Sequence, residues 1–218
     1  MNIARLAART AAGAVAAALA ATAVAAPAQA GGTKSPGTTS LAQVLTKDLR
    51  GFDHNPRDFD ILTRAVLTVL EAKPDSAVAV LADGTVALTA FIPNDAAFRQ
   101  LVREITGSRT LPSESTAFTA VAGLGVDTVE NVLLYHVVPG ATIDRRAAVK
   151  ADGAELTTAL GPALEVDVRT YWHWYRQVRL IDADTDDRDP RVIRYDINRG
   201  NKQIAHVIDR VLRPIDLP

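Results

Sequence analysis

The spacing of apolar residues changes character near residue 140, and that change predicts the fold. From Asp58 onward Ile61, Leu62, Ala65, Val66, Val69 and Leu70 recur at helical intervals, and Pro74 closes the run. Val86 to Phe91 reads as a strand. Directly after it, Pro93-Asn94-Asp95 stands at the position of a helix N-terminus, ahead of Ala96-Ala97-Phe98-Arg99-Gln100-Leu101, so strand gives way abruptly to helix at Asn94. Leu111 to Gly125 carries no clear period. Helical spacing returns between Asp127 and Tyr135 through Val129, Val132 and Leu133, until Pro139-Gly140 stops it. Beyond that turn the period becomes two. Glu165 to Val168, Val178 to Ile181, Val192 to Tyr195 and Ala205 to Leu212 read as strands separated by polar turns. Helices first and strands last predict an α+β sandwich with helices packed on one side. No internal repeat is visible, so one copy of a single domain is expected over residues 41–215.

The first thirty residues stand apart from this pattern. Arg5 and Arg9 precede an Ala-rich apolar stretch from Ala11 to Ala26 that ends in Ala28-Gln29-Ala30, the form of a secretory signal peptide over residues 1–30. The stretch is mostly alanine and short for a membrane span of about twenty residues, so cleavage is expected. The Gly/Ser/Thr/Pro run that follows predicts a disordered lead-in over residues 31–40. No Cys follows the signal and no apolar tail precedes Pro218, so neither a lipid anchor nor membrane insertion of the mature chain is expected. The product is expected to be secreted, either free outside the cell or held at the cell wall.

Removing the signal leaves 22 basic against 25 acidic residues, a net charge of −3 before counting His. That balance argues against nucleic acid and anionic membrane as partners. About 188 residues remain, enough to bury a core as a single domain. The complete absence of Cys removes disulfide staples, thiol nucleophiles and zinc-thiolate sites.

Three segments carry a family resemblance. They are Leu88-Thr89-Ala90-Phe91-Ile92-Pro93-Asn94-Asp95-Ala96-Ala97-Phe98, then Asn131-Val132-Leu133-Leu134-Tyr135-His136-Val137-Val138-Pro139-Gly140, and last Ile204-Ala205-His206-Val207-Ile208-Asp209-Arg210-Val211-Leu212-Arg213-Pro214. In this order and spacing they resemble the signature segments of the fasciclin domain, found in extracellular adhesion and matrix proteins and in secreted bacterial surface antigens. The first matches at Thr89, Phe91, Pro93, Asn94, Asp95, Ala96, Ala97 and Phe98. The second matches at Leu134, Tyr135, His136, Val138 and Gly140. In the third, His206-Val207-Ile208-Asp209 is intact, whereas the family's Asn-Gly turn is replaced by Lys202-Gln203. The resemblance spans roughly residues 41–215 and implies N-terminal helices packed on a β-sandwich or wedge of two sheets. It departs from the family at Tyr171-Trp172-His173-Trp174-Tyr175, where a short polar turn is usual, and at Asp182 to Pro190, which lengthens the next hairpin.

Each candidate site has a structural and a functional reading. Tyr135 and His136 close an apolar helix, so their polar atoms need internal partners, and they could tie the helix to the turn carrying Asn94 and Asp95. The resemblance implies instead an adhesion contact, because the matching pair in animal relatives is implicated in integrin binding. Asn94 and Asp95 are expected to cap a helix, accepting its free N–H groups. Thr89, Pro93, Phe98, His206 and Asp209 are taken as structural members of the motif. Asp182, Asp184 and Asp186 alternate as at the start of a calcium loop, but Asp187 and Ile193 stand where that loop needs Gly and Glu. A looser calcium site, or more simply a solvated acidic hairpin tip neutralised by Arg188 and Arg191, is left open.

The aromatic run holds four of the chain's eleven aromatic residues, Tyr171, Trp172, Trp174 and Tyr175. In an extended strand Trp172 and Trp174 continue the inward register of Leu164, Val166 and Val168, and so could be core. If exposed, they make a ribbon suited to sugar rings or a protein hot spot. Catalysis has little support: no Gly-x-Ser-x-Gly elbow, His-Glu-x-x-His pair or phosphate-cradling glycine loop is present. His54, His136, His173 and His206 lack neighbours at metal-ligand spacing, so neither a metal nor a cofactor is expected. The expected function is that of a secreted, non-catalytic adhesion module contacting a protein or a cell-wall or matrix glycan. The alternatives are an extracellular carrier with an apolar pocket and a wall-polymer hydrolase with converging carboxylates beside the aromatics.

Overall fold

The computed structural model describes residues 35–47, 51–172 and 174–215, and the signal expected at 1–30 lies outside them. In chain order the elements are α1 (Leu41–Leu45), α2 (Asp60–Ala72), a 3-10 helix (Ala77–Ala82), β1 (Leu88–Pro93), α3 (Asp95–Ile105), α4 (Glu114–Gly123), α5 (Val126–Tyr135), β2 (Val137–Pro139), α6 (Arg145–Ala148), β3 (Glu155–Thr157), β4 (Ala163–Tyr171), β5 (Tyr175–Ile181), β6 (Val192–Ile197) and β7 (Gln203–Ile208). Local chemistry sets most helix starts. Ser40, Asn94, Ser113 and Asp144 each turn a side-chain oxygen onto an otherwise unpaired backbone N–H of the helix that follows.

The strands form two sheets, one of four strands ordered β2-β1-β7-β6 and one of three ordered β3-β4-β5. In the first, β1 and β7 run parallel at the centre, and both are buried along their whole length. Their largely apolar character follows from being covered on two faces, and the polar exceptions Thr89, Gln203 and His206 are buried with hydrogen-bond partners. On one face, Leu88, Ala90, Ile92, Ala205 and Val207 pack against α2, α3, α4 and α5 in the main core. On the other, Phe91 and Ile208 join Leu164 and Val166 of β4 and Val178 and Leu180 of β5 in a second core between the sheets. This is the expected α+β arrangement, with helices on one side of a two-sheet wedge.

Two expectations change. The stretch from Leu111 to Gly125, which has no clear period, contains α4. Only Glu114, Ala117 and Val121 of α4 are buried, so small side chains against α2 and α3 stand in for an apolar stripe. The lead-in is also held over its last residues. Gly37 exchanges backbone hydrogen bonds with Gly200 at 2.8 Å and Lys202 at 2.9 Å, and the Thr38 carbonyl occupies the space a Cβ at Gly84 would fill. Residues 37–40 are therefore part of the domain, because their backbone groups find partners that a Gly/Ser/Thr/Pro composition does not reveal.

Gln203 explains how the domain tolerates Lys202-Gln203 in place of Asn-Gly. Fully buried at the head of β7, its side chain accepts from the Leu41 N–H at 2.7 Å and donates to the carbonyls of Val80 and Asp83, each at 2.8 Å. One amide thus ties α1, the 3-10 helix and the central sheet together, and the turn itself is held by Asn198 and Asn201.

Candidate binding surface and its supports

The signature residues are internal braces. Tyr135 is fully buried and His136 nearly so at 4% exposure. The Tyr135 hydroxyl accepts from the Ala183 N–H at 3.1 Å and donates to the Ala163 carbonyl at 3.4 Å, joining α5 to the three-stranded sheet. Burial pushes its pKa up to about 12, helped by the neighbouring Asp182. His136 lies 2.6 Å through Nδ1 from the Val132 carbonyl, and its Nε2 accepts from the Leu212 N–H at 3.0 Å. Accepting at Nε2 requires the neutral ring, and burial depresses its pKa to about 4. The pair therefore ties α5 to the C-terminal segment and the second sheet, a different connection from the expected one to Asn94 and Asp95.

His136→Ala would strip the Leu212 N–H of its acceptor inside the core, and a loss of about 1–3 kcal/mol is expected in thermal melting. Because the folded pKa lies below the unfolded value, acidification from about pH 6.5 to 4 charges this ring only in the unfolded chain. The native protein loses this contribution there, so the gap between wild type and variant should narrow over that range. A variant with unchanged melting and lost binding would assign the ring to a contact.

The remaining motif positions fix loops. Thr89 donates through its hydroxyl to the Ala141 carbonyl and accepts from the Ile143 N–H, both at 2.8 Å. His206, which meets Phe91 at a tilt and Tyr195 edge-on, contacts the Ile143 carbonyl through Nε2 at 2.8 Å and accepts the Asp196 N–H on Nδ1 at 3.2 Å. Asp209 receives a two-pronged Arg191 guanidinium at 2.9 and 2.7 Å. Pro93 ends β1, and Phe98 lies in the main core. Asn94 caps its own helix, accepting from the Ala97 N–H at 3.0 Å, but Asp95 caps a different one. Its carboxylate accepts from the N–H groups of Asp60 and Ile61 at 3.2 and 3.0 Å, supplying α2 with the cap its own N-terminal residue, Phe59, cannot provide.

The Asp182–Asp189 segment is solvated only in part, with Thr185, Asp186 and Arg188 exposed. Asp182 and Asp184 are buried, and the equally buried Arg213 reaches Asp184 at 3.2 Å, Asp187 at 3.3 Å and Glu104 at 2.8 Å. Arg191, expected as a neutraliser, pairs with Asp209 instead. Among the described residues, the carboxylates grouped closely enough to gather a cation lie elsewhere. Asp53, Asp60 and Glu114 place ligand oxygens within 4.8 Å of one another, as do Asp58, Asp60 and Asp95. Asp58 and Asp95 face each other with ligand oxygens within 4.8 Å, and both Asp58 oxygens are buried without a hydrogen-bond partner. Burial raises both pKa values, Asp95 to about 8, which favours holding a proton on the pair.

Two exposed features remain at the far sheet. Tyr171 pairs with Tyr175 across β4 and β5, leaving Trp172 to Trp174 as the connection. Trp172 takes a left-handed backbone with φ 55°, which ends the alternating register, and the two indoles are 83% and 80% exposed. The strand pattern missed this because it extrapolated alternation through a turn. The ring of Trp174 meets Tyr175 edge-on at 6.3 Å, and the Tyr175 hydroxyl donates to Gln177 at 2.9 Å, so the ribbon is braced at its base. Beside it, a groove of about 440 Å³ is lined by Trp174, Arg145, Arg146, Arg176, Arg199 and two aspartates.

The apolar cavities of the helix layer, lined by residues such as Ala65, Val121 and Val129, are about 20 Å³ each, space for little more than a water. Among the described residues no single helix is long and apolar enough to cross a membrane.

A family profile described as the Fasciclin domain matches residues 64–214. The fold is similar to that of a FAS1 domain pair from the insect cell adhesion molecule Fasciclin I. The identity is 15% and the TM-score 0.51, with 81% of this chain and 51% of that one covered. This chain thus spans about half the length of that pair. No curated protein matches the sequence.

Proposed function

Because the chain belongs to the fasciclin domain family, a family of adhesion-related modules, we propose that it is a secreted, non-catalytic binding domain whose contact surface is the Tyr171–Tyr175 hairpin. Its partner is a protein or a cell-wall or matrix glycan. The observation that carries this is the exposure of Trp172 and Trp174 on a braced turn. Leaving two indoles in water forgoes about 1.5–3 kcal/mol of burial for each large apolar side chain, a cost that a partner covering them recovers. Tyr135 and His136 act as internal struts, holding the opposite end of the β4–β5 pair and the C-terminal segment.

Neither alternative gains comparable support. Cavities of about 20 Å³ are far below the roughly 300 Å³ at which ligand pockets begin, which weighs against a carrier. The groove carboxylates that a hydrolase would use are held by backbone amides, Asp144 by Ala147 at 2.8 Å and Asp196 by Arg145 at 2.7 Å.

The test uses protein recovered from the medium of an exporting host, applied to immobilised cell-wall fractions and extracellular proteins. Trp172→Ala/Trp174→Ala should lower binding at least about tenfold while melting within a few degrees of wild type, since truncating hot-spot aromatics costs 2 kcal/mol or more. Retained binding by the double variant, or retention of the chain inside the cell, would count against the proposal.

A further inference from the structure

We propose that the groove beside Trp174 binds carboxylate-bearing sugar residues, the uronic acids of an acidic polysaccharide. This rests on the reading of the aromatic hairpin as a glycan-contacting surface and names the class of glycan.

Charge is the first ground. Arg145, Arg146, Arg176 and Arg199 line one cleft against only Asp144 and Asp196, in a chain whose net charge is −1. Those two carboxylates are already committed. Asp144 caps α6, and Asp196 holds the Arg145 N–H and lies 4.0 Å from Arg199. Among the described residues no carboxylate forms an ion pair with Arg146 or Arg176. Arg176 spends one donor on the Val149 carbonyl at 3.2 Å, and the rest of its fork is exposed. Guanidinium forks left without a carboxylate match the planar geometry of one supplied by a ligand.

The second ground is that the arginines are mounted on a fixed frame. Thr89 and His206 both hold Ile143, two residues before Arg145. His206 also holds the amide of Asp196, whose left-handed φ of 62° turns its side chain onto the Arg145 N–H. Arg145 lies over the Tyr195 ring, 5.3 Å from its centroid. The motif residues that look merely structural thus set the groove wall, and a preset wall reduces what ordering costs a ligand.

The third ground is the indole. An exposed Trp174 at the rim of a cationic cleft presents an apolar face to the C–H face of a pyranose while the arginines take its carboxylate. An open-chain polyol phosphate offers no such ring face. A nucleic acid strand would require a basic track following many phosphates, whereas these four arginines line a single cleft that also holds two aspartates. The volume of about 440 Å³ lies within the roughly 300–1,000 Å³ range of ligand clefts.

The experiment titrates the secreted protein with an oligogalacturonate, with the same oligomer after reduction of its carboxylates to alcohols, and with poly-uridylate. Binding is expected to the first alone and to weaken with added salt. It should fall at least about tenfold in Arg146→Ala/Arg176→Ala and in Trp174→Ala, and hold within about twofold in Arg109→Ala, an exposed arginine outside the cleft. Equal binding of the reduced oligomer, preference for poly-uridylate, no binding of the uronate, or indifference to the arginine substitutions would each overturn the proposal. If wall or protein ligands still depend on Trp172 and Trp174 in that case, the hairpin reading survives and the groove alone fails. Conversely, uronate binding that depends on the arginines, with no ligand depending on Trp172, would keep the groove and discard the hairpin reading.

Discussion

Replacing Arg213 with Ala is expected to destabilise the domain by about 3–5 kcal/mol, the largest single-side-chain effect we anticipate, because it removes the cation from a buried cluster and leaves its carboxylates. The guanidinium is the meeting point of Asp184, Asp187 and Glu104, and the backbone N–H of the same residue donates to Asp182 at 2.8 Å. Burial already pushes Asp182 up to about 7 and Asp187 up to about 6 with the arginine in place. Without it, Asp184 loses its cation in a site that water reaches poorly and Asp187 loses its counter-charge, so each costs more to ionise, while Glu104 keeps Arg210. The measurement is urea unfolding at two pH values. At pH 7.5 the midpoint should fall far below wild type, whereas at pH 5 the deficit should shrink as protonation neutralises the orphaned acids. A loss under about 1 kcal/mol at both pH values would mean that the cluster is effectively solvated, as surface ion pairs are.

Arg213 also marks the boundary of what the sequence could convey. Features set by near neighbours were legible. The Asn94 cap, the abrupt step from β1 to α3, the helical spacing of α2 and the period-two strands depend on residues within one or two turns of each other. The signature segments carried the family and thereby the two-sheet wedge. Features set by distant partners were not legible. Nothing near Asp184 announces that Arg213 will neutralise it, and nothing near Gln203 announces that it will hold Leu41 and Val80. Asp95 reads as a cap for the helix it begins, yet its acceptors serve a helix 35 residues earlier. The aromatic residues were legible as a departure but not as exposed, since that depends on one left-handed residue, Trp172. The basic groove was invisible because its four arginines come from three places between residues 145 and 199 that only the fold collects.

The same long-range logic makes Asp95 the second strong test. Asp95→Ala should cost about 2–4 kcal/mol, because the N–H groups of Asp60 and Ile61 at the start of α2 lose their acceptor in a fully buried site. The pH dependence separates this from an ordinary cap. Burial, then the facing Asp58 carboxyl, raises the Asp95 carboxyl to about 8 from an ordinary 3.8, and Asp58 is raised as well. A folded pKa above the unfolded one means that the native chain holds more protons between about pH 4 and 8. Stability contributed by this pair is therefore full below about pH 4 and is lost as pH rises toward 8. Asp53 and Glu114 face the pair with further negative charge and push the same way. Asp58→Asn replaces one acid by an amide that donates to Asp95 without needing a proton. It should flatten this part of the profile, gaining about 1 kcal/mol over wild type at pH 8 and little or nothing at pH 5. Chemical denaturation of both variants and wild type at pH 5, 6.5 and 8 decides the matter. If Asp58→Asn tracks wild type in parallel across the three, the two carboxyls do not share a proton, and Asp95 caps α2 as an ordinary ionised acid.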